Sequence, residues 1–173
     1  MRSAPAGTYA IIVKTNSSGS FDLTLTITSP SSTPAGDDCA HVVTVVPDGP
    51  MVSATTLGLV QDYAPSCGSV SGASYRDVVF EFTLGATRDV TVVTNTPGGF
   101  SGSDITTYST DPCGPTSSEL RCHSSFSSTD TELFRSLAPG NYYVTTATTT
   151  GGTVGVQVTT SAPTPVPLND RCP

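Results

Sequence analysis

The feature that most constrains this chain is that it repeats itself. Residues 2–40 align without a gap on residues 135–173, a shift of 133. Eleven of the 39 pairs are identical, among them Tyr9/Tyr142, Gly19/Gly152, Pro30/Pro163, Asp37/Asp170 and Cys39/Cys172. The other pairs keep their chemistry: Ile11 lies over Val144, Phe21 over Val154, Leu23 over Val156 and Leu25 over Val158. A fixed period of this kind marks repeated structural units. Residues 1–30 read as the end of one unit and residues 31–36 as a Pro/Ser linker. Residues 37–162 read as a complete module, and 163–173 as a second linker with the first letters of another module. Met1 falls opposite Phe134, as an added start inside a longer array would.

What the unit folds into follows from its alternation. In Asp77–Leu84 the residues Val78, Phe80, Phe82 and Leu84 share one phase, the period-two signature of a strand with one buried face. Gly85-Ala86-Thr87 then leads into Arg88–Thr94, which predicts a hairpin. Tyr142, Val144 and Thr146, a turn at Gly151-Gly152, then Val154, Val156 and Val158 predict a second hairpin. Tyr9–Val13 with Phe21–Ile27 is its copy. Further strands are expected at His41–Val46, Val52–Leu59, Ile105–Ser109 and Thr131–Leu137. Composition agrees: 29 Thr and 18 Val stand against one Lys and three Glu, so strand formers dominate and helix formers are scarce. The expectation is an all-β, two-sheet, jelly-roll-like sandwich of eight to nine strands.

Charge and cysteines set the surroundings. The net charge is −7 with seven basic residues, which argues against nucleic acid and anionic membranes as partners. No apolar run is long enough for membrane insertion as a helix. Cys39, Cys67, Cys113, Cys122 and Cys172 form no C-x-x-C pair and no zinc spacing with His41 or His123. Spaced cysteines in an acidic, Ser/Thr-rich chain predict disulfides and an extracellular setting. The segment after Met1 lacks the apolar stretch of a secretion signal, so the leader is expected to be removed or to lie elsewhere in a longer protein.

Several motifs together resemble a known family. Gly36-Asp37-Asp38-Cys39 follows a Pro-containing linker; then come Ser66-Cys67-Gly68, Asp77-Val78-Val79-Phe80, Cys113 with Cys122, and Leu137-Ala138-Pro139-Gly140-Asn141-Tyr142-Tyr143-Val144. This order resembles the bacterial pre-peptidase C-terminal domain and its tandem, cysteine-bearing relatives, which are β-sandwich modules of secreted proteases and surface proteins. The resemblance implies the disulfides Cys39–Cys67 and Cys113–Cys122. It leaves Cys172 unpaired, since its partner would lie in a following module; the repeat register agrees, because Cys172 is the copy of Cys39. Relatives often carry Asn-Asp-Asp after the fourth cysteine, where this chain has His123-Ser124-Ser125, so the carboxylates for a calcium site are missing there.

No catalytic constellation stands out. His123, Ser124 and Asp130 supply the letters of a nucleophilic triad, but no G-x-S-x-G elbow accompanies them, and a polar surface loop is the simpler reading. Asp37, Asp38 and Asp170 sit at the junctions, and Asp130 lies in a second acidic stretch. Adjacent carboxylates suit calcium, yet the spaced oxygen ligands of a rigid loop are absent. The expectation is therefore no cofactor and no metal, with Asp37, Asp38 and Asp130 as the only candidates for calcium. Without Trp, a sugar-stacking face would rest on Tyr63, Tyr75, Tyr108 and Tyr143. The predicted role is a non-enzymatic extracellular structural or adhesive module of a bacterial cell surface. Its partners are copies of itself or neighbouring repeats, meeting at Tyr9, Ile11, Phe21, Leu23, Leu25 and Ile27, a face able to build a filament. The rival is an accessory module of a secreted enzyme that binds polysaccharide or protein.

Overall fold

The computed structural model describes residues 6–14, 16, 19–68, 75–96, 104–113, 118–125, 127–149 and 151–165. The chain divides into two compact units, Met1–Thr33 and Pro34–Pro173. In the first unit none of the described residues lies in a strand, although strands are expected at 9–13 and 21–27. Ile11, Phe21, Leu23 and Leu25 are each more than half exposed. The physical reason is that two strands alone have no second layer against which to bury their apolar face, and such a pair is marginal in water.

The second unit is an all-β sandwich of nine described strands. In chain order they are β1 (Val43–Thr44), β2 (Val52–Thr55), β3 (Arg76–Leu84), β4 (Arg88–Asn95), β5 (Asp104–Thr110), β6 (Glu119–Ser125), β7 (Thr129–Leu137), β8 (Gly140–Thr148) and β9 (Thr153–Ser161). One sheet has the order β1-β3-β8-β5-β6 and the other β2-β9-β4-β7. The predicted phase holds. Val78, Phe80, Phe82, Leu84, Val90, Val92, Tyr142, Val144, Val154, Val156 and Val158 form one core, with Phe82 stacked on Tyr142 at 5.3 Å between centroids. Each fully buried Val, Leu or Phe in such a core stabilises by about 1.5–3 kcal/mol.

Two expectations are corrected. The Gly85–Thr87 and Gly151–Gly152 turns do not close hairpins: β3 and β4 lie in different sheets, as do β8 and β9. A strand that crosses to the opposite sheet buries the same phase as one that turns back beside its neighbour, so alternation cannot separate an arch from a hairpin. The residues around Cys122 and His123, expected as loop, form β6, the edge strand paired with β5. Its charged and Ser-rich sequence hides the strand, because an edge strand has little to bury.

Candidate functional site

Alternation predicts that the outer face of the five-stranded sheet meets water, and over much of β3, β5 and β8 it does not. Asp77 and Val79 of β3, Ile105 of β5, and Tyr143, Thr145 and Ala147 of β8 are all outward in phase, yet all are buried. The cover is the irregular stretch 56–68, together with the junction 34–42. Asp77 draws the cover down: its Oδ2 accepts the backbone N–H groups of Tyr63 at 2.9 Å and Asp62 at 3.1 Å. Asp37, itself buried, accepts the N–H of Val60 at 2.9 Å. Glu119 on β6 accepts the N–H of Ser66 at 3.2 Å and also its hydroxyl. Two glycines let the backbone come this close. A Cβ on Gly36 would fall 2.6 Å from Val78 Cγ2, and one on Gly68 would fall 2.7 Å from Ile105 Cδ1; both have positive φ, a region where glycine pays no steric penalty.

The disulfides belong to the same cover, and their pairing overturns the expected one. Cys39 joins Cys113 and Cys67 joins Cys122; neither Cys39–Cys67 nor Cys113–Cys122 forms. The reason is the sheet order. Cys122 lies opposite Thr107 on the outward phase of β6, beneath the end of the covering stretch that carries Cys67. Each bond therefore ties the cover to the β5–β6 region: one from the junction at Cys39, the other from Cys67. Between cover and sheet lies a crevice lined by Tyr63, Ala64, Pro65, Thr107, Ser109, Glu119 and Thr145. Cys172 and Asp170 lie outside the described residues.

The electrostatics of the cover follow from burial. Asp77 is pushed up to about 6 by desolvation, which its two N–H donors only partly offset. Asp62 is raised by desolvation and by the nearby carboxylates of Asp37 and Asp38. Asp38 goes the other way: desolvation raises it, but the His41 side chain at 2.7 Å and the Ala40 N–H at 2.9 Å outweigh that. Asp37, Asp38 and Asp77 thus spend their oxygens on backbone N–H groups and His41, which fixes the junction. Among the described residues no three His, Cys, Asp or Glu side chains stand together as a metal site.

A second polar group occupies the sandwich interior along the edge strands. Asp104, Thr106 and Tyr108 share the inward phase of β5, with Thr106 Oγ1 3.2 Å from Thr146 Oγ1. From β6 and β7, His123 Nδ1 meets Asp130 Oδ2 and Arg121 meets Glu132. The Arg121 guanidinium also lies 5.1 Å from the centroid of the Phe134 ring, a cation–π contact. These pairs join an edge strand of one sheet to an edge strand of the other. Asp104 is buried, and neither carboxylate oxygen has a hydrogen-bond partner among the described residues. Desolvation pushes it up to about 7, against the nearby Thr96 hydroxyl. Desolvation, Asp130 and Glu132 likewise raise the Tyr108 phenol.

The structure separates the residues of the notional triad. His123 pairs with Asp130, but Ser124 is the next residue along β6 and so points to the opposite face. Of the tyrosines that could stack a sugar, Tyr108 and Tyr143 are buried. Sequence reasoning passed over Asp77 and Asp104. The signal for both was a carboxylate at the start of an alternating strand, which reads as surface until the cover and the second sheet are known.

No protein-family model and no curated protein matches this chain. The pre-peptidase C-terminal domain of a collagenase from Bacillus anthracis, the domain class that the motifs resemble, is similar in structure, with 11% identity, a match covering 67% of this chain and 92% of that one, and a TM-score of 0.45.

Proposed function

We propose that the Pro34–Pro173 unit is a non-catalytic structural module that works outside the cell, where it spaces or attaches larger units on a bacterial surface. The observation that carries this reading is the pinned cover over the five-stranded sheet. The carboxylates there hold backbone N–H groups instead of converging on an open cleft, and two disulfides fasten the cover to the sheet. Bonds of this kind persist in oxidising surroundings and limit local opening. The resulting body is suited to bearing load or resisting proteolysis.

The test is binding by the full chain. On immobilised polysaccharide and on collagen, a spacer leaves both untouched at micromolar concentration. Saturable retention on either, competed by soluble ligand, would replace this reading with that of an accessory binding module.

A further inference from the structure

Residues 8–27 are the sequence copy of the β8–β9 arch, and the body shows what that arch does. β8 sits between β3 and β5 in one sheet, and β9 between β2 and β4 in the other. Each is an interior strand, so a body without this arch would have both sheets cut in two. Its core side chains, Tyr142, Val144, Thr146, Val154, Val156 and Val158, are nearly or fully buried. In the copy these positions are Tyr9, Ile11, Val13, Phe21, Leu23 and Leu25. The copy therefore carries an aromatic or aliphatic residue at each core-facing position of the arch, and those six side chains are exposed. The matching slot in its own chain is already filled.

We propose that residues 8–27 are a donor arch for a second sandwich body of this kind whose β8–β9 slot is open, and that Lys14 sets its register by pairing with the carboxylate at the Asp77 position. Lys14 is the only lysine in the chain, and the copy register places it over Ala147. Ala147 is the direct cross-strand partner of Asp77. Side chains directly opposite on antiparallel strands have Cβ atoms about 4.5–5.5 Å apart, within reach of an ion pair. Asp77 is fully buried, and among the described residues it forms hydrogen bonds to N–H groups but no ion pair. A donated lysine supplies the missing cation. This is strand addition in which the backbone gives affinity and side chains give register.

The two copies also differ in bulk at the core positions. Phe21, Leu23 and Leu25 are larger than the valines they would replace, and close-packed cores resist added volume. Asp22 falls at Gly155, where an added Cβ would lie 2.7 Å from Met51 Sδ. This body can therefore accept the copy only with a loss of stability, and a related body with smaller side chains at these contacts accepts it better.

Two measurements on the 173-residue chain test this. In the first, residues 141–160 are replaced by the sequence of residues 8–27. The expected result is one cooperative thermal transition at a lower Tm than the native chain, with Cys39–Cys113 and Cys67–Cys122 intact by peptide mapping. A chain with no cooperative transition, or with scrambled disulfides, overturns the proposal. In the second, Ala147→Lys is compared with the equally long Ala147→Met at about pH 8, each with Asp77 and with Asp77→Asn. The expected result is that Lys melts at or above Met when Asp77 is present and below it when Asp77→Asn is present. The same ranking in both backgrounds overturns the role given to Lys14.

Discussion

Residues 8–27 and residues 141–160 are two versions of one sequence in two different states. The second is a pair of interior strands whose valines are 0% exposed; in the first, the corresponding Phe21, Leu23 and Leu25 are 57–67% exposed, and no strand is formed among the described residues. Intrinsic preference does not explain this, because the first copy is the more apolar of the two. The difference is supply. β8 and β9 each have a neighbouring strand on both sides and a second sheet to face, whereas none of the described residues of 8–27 is paired in a sheet. Strand preference is a fit to a half-buried surface, and it has no effect until that surface exists.

The largest expected effect breaks the comparison at matched positions. Val156→Asp buries an unpaired charge in the core, and should cost more than about 4 kcal/mol. Leu23→Asp, its counterpart, should change stability by less than about 0.5 kcal/mol, as surface substitutions do. Urea unfolding at low protein concentration measures both; similar losses would mean that the two copies share one environment. Next come the disulfides, which lie only in the body. Replacing Cys67 and Cys122 together by Ser should cost about 2–4 kcal/mol. It should leave hydrogen exchange in 8–27 unchanged while speeding it in the cover at 56–68.

Asp104 sharpens the comparison by pH. Asp77 and Asp104 have pKa values raised in the folded state, to about 6 and about 7 from 3.8. Between about pH 4 and 7 the folded body therefore binds more protons than the unfolded chain, and stability falls as pH rises through that window. Asp38, Asp48 and Asp89 are lowered, so their contribution is lost as pH falls below about 4. Melting should be highest near pH 4–5. Asp104→Asn should raise stability at pH 8 by on the order of 1–3 kcal/mol and flatten the upper part of the profile. A melting temperature that climbs from pH 5 to 8 would contradict this assignment. The smallest effect is expected at the partly exposed Arg121–Glu132 pair, where a double-mutant cycle should give about 0.2–1 kcal/mol and weaken with salt.

Much of the core was legible from residues alone. Val78, Phe80, Phe82 and Leu84 announce their buried face by period two, and the turns at Gly85 and Gly151 mark where strands end. The candidate site was less so. Asp37 was singled out as an acidic junction, but its role in holding Val60 depends on a stretch more than twenty residues away. Asp77 looks like a solvent-facing residue because one strand cannot report that a loop lies over it. β6 was missed because Leu120, its one large aliphatic residue, is exposed and its other positions are Glu, Arg, Cys, His and Ser, which leave no alternating signal.

The sequence by itself determined the class of fold and the phase of most strands, because these depend on the order of apolar and polar residues within a few positions, and the existence of a repeated two-strand segment, because the same order recurs 133 residues on. Only the tertiary structure decided which turns are arches and which cysteines meet. It also decided which outward residues are covered and which of two similar segments becomes strand. Those outcomes depend on what lies across the sheet or over it, and residues brought together from 14 to 74 positions apart leave no local trace in the order of the chain.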